Sequence, residues 1–194
     1  MSEILFIRHA ETDMAGAFCG HSDPELNTYG HAQVAELIDK LHAEDISIVY
    51  SSDLRRAYAT GKAIAEAFDV DCHVRPGLRE INFGQWEGLT WKEIVHRDGA
   101  YARRWMAEYP LLTAPDGEGF RDFERRVLDE VRLLSSTVGH RIAVVTHAGV
   151  IRTVLCTLAG WRDEDAWEQT RSYCSIVRHT PPISSLIHPP EVGS

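Results

Sequence analysis

The sequence predicts an α/β domain of three layers, α/β/α, around a mostly parallel central sheet. Three observations predict it. Short β-rich runs alternate with longer helical stretches, an order that implies right-handed crossovers and a sheet covered on both faces. The first run, "ILFIR" at 4–8, reads as a buried strand. Three strand candidates end on polar side chains: Arg8-His9, the segment "SSDLRR" at 51–56, and Thr146-His147. In parallel sheets ligands bind beyond the carboxyl ends of the strands, where all three groups would lie.

Taken in order, strands are expected at 4–8, 46–51 and 141–146, with weaker patterns at 72–74 and 174–178. Helices are expected at 28–42, 54–68, 90–95, 100–108, 120–136 and 149–159. In the second helix Ala57, Ile64, Ala65 and Phe68 recur at helical spacing and would face the sheet. The stretch 109–119, with two prolines and two glycines, reads as a loop and a pocket rim. One domain is expected over 1–180, followed by an irregular tail at 181–194 that carries Pro181, Pro182, Pro189 and Pro190.

With 194 residues, 44% apolar and 25% charged, the chain has the composition of an ordinary globular domain with one core. No stretch approaches the ~20 apolar residues that span a bilayer, and Met1-Ser2-Glu3 does not open a signal peptide. A formal charge of −9 argues against nucleic acid as partner, but arginines clustered locally still focus a positive potential. The four cysteines are scattered without a CxxC pair, which reads as reduced thiols in a cytoplasmic protein.

Phosphoryl transfer asks for positioning and positive charge rather than elaborate covalent chemistry. An arginine fork engages two phosphate oxygens and stays protonated near neutrality. A neutral histidine nitrogen serves as nucleophile, and a carboxylic acid supplies the leaving alcohol's proton. Arg8, His9, Arg56 and His147 suit the pocket on this scheme, with a carboxyl group drawn from elsewhere.

The segments "RHAET" (8–12), "SSDLRRAYAT" (51–60), "LREINFGQWEG" (78–88) and "THAGVIR" (146–152) resemble the four ordered signatures of the histidine phosphatase superfamily, whose fold is phosphoglycerate mutase-like. The resemblance implies His9 as the phosphorylated nucleophile, Arg8 and Arg56 as phosphate ligands, His147 as the second histidine and Glu80 as proton donor. Arg55 and Glu87 compete for two of these roles, and Glu11 reads as structural. No metal and no organic cofactor is implied. Ala10 and Ala148 stand where the family usually has glycine, which is harmless where φ stays negative. Ala15 replaces a frequent asparagine, so Thr12 or a backbone amide is expected to supply that phosphate contact. Glu118, in "DGEGF", is retained without an assigned role.

The chain lacks the long insert and the "RLNERHYG"-like segment of the mutases, which implies a phosphatase. "FCGHSDPELN" (18–27), "LREINFGQWEGLTWKEI" (78–94) and "GFRDFERRV" (119–127) resemble the α-ribazole-5′-phosphate phosphatases of cobalamin assembly. Broad-specificity sugar-phosphate and phosphoglycerate phosphatases share much of this pattern. A nucleoside-like leaving group would need an apolar rim, for which Trp86, Trp105 and Tyr109 are candidates; Trp86 and Trp91 equally suit packing. Two other classes fit less well. A metal hydrolase would show HExxH or a tight His/Asp cluster, and a silent phospho-ligand binding module would lack the nucleophile or the acid. The expected partner is a small-molecule phosphate ester, with no nucleic acid and no membrane; a homodimer is left open.

Overall fold

The computed structural model describes residues 3–135 and 141–180. Five strands form one sheet in the order β3-β2-β4-β1-β5: β1 (Glu3–Arg8), β2 (Ile48–Ser51), β3 (Cys72–Val74), β4 (Arg141–Thr146) and β5 (Ile176–His179). All neighbours are parallel except β5, which runs antiparallel along β1. The residue before β5, Ser175, takes the Arg8 amide on its carbonyl, and Cys174 has a left-handed φ of 54°, so the strand expected from 174 begins at Ile176.

Alternation along the strands sends side chains to two cores. Ile4, Phe6, Ile142 and Val144 meet α4 (Phe120–Ser135) and α5 (Ala148–Thr157) through Phe123, Val127, Val131, Val150, Ile151 and Val154. Leu5, Ile7, Ala143 and Val145 meet α1 (Thr28–Leu41) and α2 (Arg55–Phe68) through Leu37, Leu41, Ala57 and Ile64. This is the three-layer α/β/α architecture that the alternation of elements predicts.

Three elements differ from the sequence reading. The two helices at 90–95 and 100–108 are one element, α3 (Trp91–Glu108), kinked at Asp98 where φ is −150° and ψ is 81°. A capping box between Thr90 and Glu93 starts it, satisfying amides that the first turn leaves without helical partners. Residues 46–47 precede β2 rather than belonging to it. A short helix, α6 (Asp163–Thr170), has no counterpart in the predicted elements. The expected tail at 181–194 lies outside the described residues, as does position 136.

All four cysteines are free. Among the described residues, no helix is long and apolar enough to cross a membrane.

Candidate active site

The sheet order explains why distant segments converge. Strands β2, β4 and β1 lie side by side, with Arg8 level with Thr146 and Ser51 level with Val145. The ladder runs one residue past the strands: the His9 amide donates to Thr146 O (2.9 Å) and the Ser52 amide to Val145 O (3.0 Å). His9, His147 and Ser52 therefore emerge together at the carboxyl edge. The two imidazoles stand edge to face, centroids 5.1 Å apart, and both residues are buried.

His9 Nδ1 lies 2.7 Å from Ala10 O. A carbonyl only accepts, so Nδ1 carries the proton and Nε2 keeps its lone pair. That lone pair receives the Nε–H of Arg56 at 3.2 Å. Burial, then Arg56 and Arg8, hold the His9 pKa well below its ordinary 6.5, against the opposing pull of the Ala10 carbonyl. Burial, Arg56, His9 and Arg8 do the same for His147. Both rings are neutral at neutral pH.

Arg56, in the first turn of α2, is fully buried. Its Nη1 donates to Ser22 O (2.6 Å), and its Nη2 to Gly20 O (2.8 Å) and Cys19 O (3.1 Å). Arg55 turns outward instead, pairing with Glu25 on the surface. Arg8 donates from Nη1 to the carbonyls of Thr170 (3.0 Å) and Arg171 (2.5 Å). Its guanidinium carbon sits 4.1 Å above the ring of Tyr173, and its buried Nε has no partner among the described residues. His147 is the N-cap residue of α5; its Nε2 meets Ser52 Oγ at 3.0 Å, and its buried Nδ1 is unpartnered among the described residues.

Glu80 reaches the same edge from the segment after β3. Its Oε1 accepts the amide of Ile81 and its Oε2 that of Gly149, each at 2.9 Å. Gly149 lies in the first turn of α5, where amides lack helical partners. A β-carbon on Gly149 would stand 2.2 Å from Glu80 Oε1, so this approach requires glycine. Arg126 of α4 fastens the segment from behind, donating to the carbonyls of Gly77, Arg79 and Glu80 while pairing with Glu118. Glu118 therefore holds Arg126 in place and accepts the Asn82 amide. Glu87 accepts the amides of Gly20, His21, Ser22 and Phe83. Burial opposes its ionisation, yet those hydrogen bonds win and lower its pKa. It is a structural anchor for the 20–22 loop.

The hydroxyl oxygen of buried Thr12 accepts the Met14 amide at 3.2 Å. Left-handed φ among the described non-glycine residues is confined to Asp69, Asp116 and Cys174, so Ala10 and Ala148 carry their methyl groups without strain. Of the aromatic rim candidates, Trp86 is buried and Trp105 packs with Trp86, Phe18 and Trp91 in a separate small core. Tyr109 stays exposed, joined by Trp167 of α6. Sequence reasoning missed Tyr173, whose ring centroid is 5.6 Å from that of His9, along with Gly149, Arg126 and Trp167. Among the described residues, no group of three or more His, Cys, Asp or Glu side chains could hold a metal ion.

Comparison with known proteins places this geometry. The sequence model of the histidine phosphatase superfamily (branch 1) matches residues 4–181. A bifunctional protein of Mycobacterium tuberculosis is 35% identical over 158 residues, 79% of this chain, and the chain spans 43% of that protein's length. Phosphoserine phosphatase 1 of Hydrogenobacter thermophilus is 31% identical over 165 residues, 82% of this chain and 77% of that protein. The crystal structure of the alpha-ribazole phosphatase from Shigella flexneri superposes with a TM-score of 0.77 at 28% identity, covering 86% of this chain and 84% of the other. With the family signatures gathered at one sheet edge and the match running almost end to end, the chain belongs to the histidine phosphatase superfamily, branch 1.

Proposed function

We propose that the chain is a phosphomonoesterase that moves the phosphoryl group of a small phosphate ester onto His9 Nε2 and then to water. The observation that supports this reading best is the tautomer of His9. Its Nδ1 proton is occupied by Ala10 O, leaving an uncharged Nε2 lone pair aimed at the Arg56 guanidinium. A neutral imidazole between two arginines is a nucleophile beside a dianion site.

In this reading Arg8, Arg56, His147 and Thr12 hold the non-bridging oxygens. Arg56 Nε, which meets Nε2 in the free site, passes to a phosphate oxygen as the P–N bond forms. Glu80 gives its proton to the departing alkoxide, then takes one from the water that cleaves the phosphohistidine. The two arginines supply the positive charge that the transfer needs, and no step calls for a metal ion. The preferred substrate is α-ribazole 5′-phosphate, supported by the likeness to the Shigella enzyme; a broad-specificity sugar-phosphate or phosphoglycerate phosphatase is the alternative. Four free thiols fit a reducing, cytoplasmic setting.

The test is a rapid quench of radiolabelled substrate. Wild-type protein should retain label that survives alkali and is lost in acid, whereas His9→Ala should retain none and turn over about 10⁴-fold more slowly or worse. Activity in His9→Ala above a tenth of wild type would end the mechanism.

A further inference from the structure

On α5, Arg152 lies between two partly exposed aromatic rings. Its guanidinium carbon is 5.7 Å from the ring centroid of Tyr109 and 5.5 Å from that of Trp167. Its Nε and Nη2 donate to the two carboxylate oxygens of Asp163. Tyr109 remains 41% exposed and Trp167 55%.

Helix geometry fixes where this group stands. Arg152 is three residues along α5 from Gly149, whose amide holds Glu80. Residues three apart are surface neighbours on a helix, and side chains lean toward its N-terminus, so Arg152 leans toward that carboxylate. Trp167 is three residues before Thr170 on α6, whose carbonyl receives Arg8. Tyr109 shares the electrostatic neighbourhood of both Arg152 and Glu80. Arg152 and Trp167 thus stand on the two helices whose backbone holds Glu80 and Arg8.

Charge pairing indicates what kind of leaving group suits it. Three arginines around Glu80 are already committed to carboxylates: Arg152 to Asp163, Arg79 to Asp53, and Arg126 to Glu118. A substrate carboxylate would have to displace one of these pairs. Arg152 covers part of each ring and Tyr109 also packs against Trp105 and Phe120, but the exposed remainder of both rings carries no ion pair, and a flat group stacks there without disturbing one.

We propose that Tyr109, Arg152 and Trp167 form a stacking subsite for a planar, uncharged ring carried by the leaving group, such as the base of a nucleoside-like 5′-phosphate. The proposal rests on the phosphatase reading above and deepens it.

The test compares α-ribazole 5′-phosphate with ribose 5-phosphate, which share the primary ester and differ by the base. The ratio of kcat/KM values should favour the base-bearing substrate by roughly tenfold or more in wild type, the scale of one stacked ring. Trp167→Ala and Tyr109→Ala should each lower that ratio at least threefold, while Trp167→Phe and Tyr109→Phe, which keep a ring, should restore most of it. A wild-type ratio near one, or a ratio equal in all variants, overturns the subsite. Turnover of p-nitrophenyl phosphate but of neither sugar ester also overturns it while sparing the phosphatase reading. Absence of turnover on all three substrates overturns both.

Discussion

Arg56 and Arg152 are held by different kinds of contact. Arg56 is fully buried and bonded to three main-chain carbonyls and a histidine ring. Arg152 lies nearer the surface, held by one carboxylate and two aromatic faces. The proposed phosphate end sits on strand ends and helix starts, its cations fastened by backbone; the proposed outer end is assembled from a loop and two helices, its cation fastened by other side chains. On the proposed mechanism, the first meets the phosphate common to every ester and is indifferent to the alcohol being released. On the proposal above, the second is where discrimination among alcohols is built.

That contrast can be broken at the phosphate end first. Arg56→Ala strands three main-chain carbonyls, one buried and two half-buried, and frees the His9 ring, so we expect a loss of about 3 kcal/mol in unfolding free energy. We also expect a fall of about 10³-fold in kcat/KM. The fall should be the same for every ester tested, and a substrate-dependent loss would mean that the two ends are not separate. Chemical denaturation and a substrate panel measure both.

Gly149→Ala probes the boundary. Its new methyl group would collide with Glu80 Oε1 and displace the acid while leaving the cations in place. Alkyl esters should slow by about 10²-fold, the scale of lost general acid catalysis, and p-nitrophenyl phosphate much less, because its leaving group scarcely needs a proton. Equal losses on both would place the acid elsewhere.

The smallest effect concerns pH. His9 and His147 have pKa values depressed by burial and neighbouring arginines, so the folded chain binds fewer protons than the unfolded chain below the ordinary value of 6.5. Their neutral burial costs no stability above that value, and stability falls as the pH drops below it, by up to about 1.4 kcal/mol per pH unit for each ring. His21 and His179, also depressed by burial, act in the same direction. Thermal unfolding should show Tm declining below about pH 6.5, less steeply in His147→Gln; a flat profile would show that the rings are not held neutral.

The same division decides how much could be read from the sequence. Apolar runs ending in "RH", "SSD" and "TH" mark β1, β2 and β4, and a parallel sheet brings such ends together whatever lies between them. The outer end offers no such periodicity. Helix α6 buries only Ala166 and Thr170, so no apolar stripe announces it. Its one available signal is the acidic first turn, Asp163, Glu164 and Asp165, which favours a helix start. Tyr173 sits in a turn before a left-handed Cys174, and nothing in local pattern assigns it to the space under Arg8. Glu80 and Glu87 look equivalent in sequence. They separate only when four backbone amides are seen to converge on Glu87 and two on Glu80.

Holding Arg8 and Arg56 by carbonyl oxygens has a consequence over evolutionary time. Every amino acid contributes the same carbonyl, so the contacts made by Cys19, Ser22 and Arg171 place no demand on their side chains as long as the main chain keeps its course. Gly20 is constrained, since a β-carbon there would stand 2.0 Å from Ile81 O, and Thr170 is constrained by its burial in α6. On the proposed reading, variation there leaves the grip on the phosphate intact. At the proposed outer end, where side chain holds side chain, each exchange would change what the pocket admits, so one chemistry could be kept while substrates change.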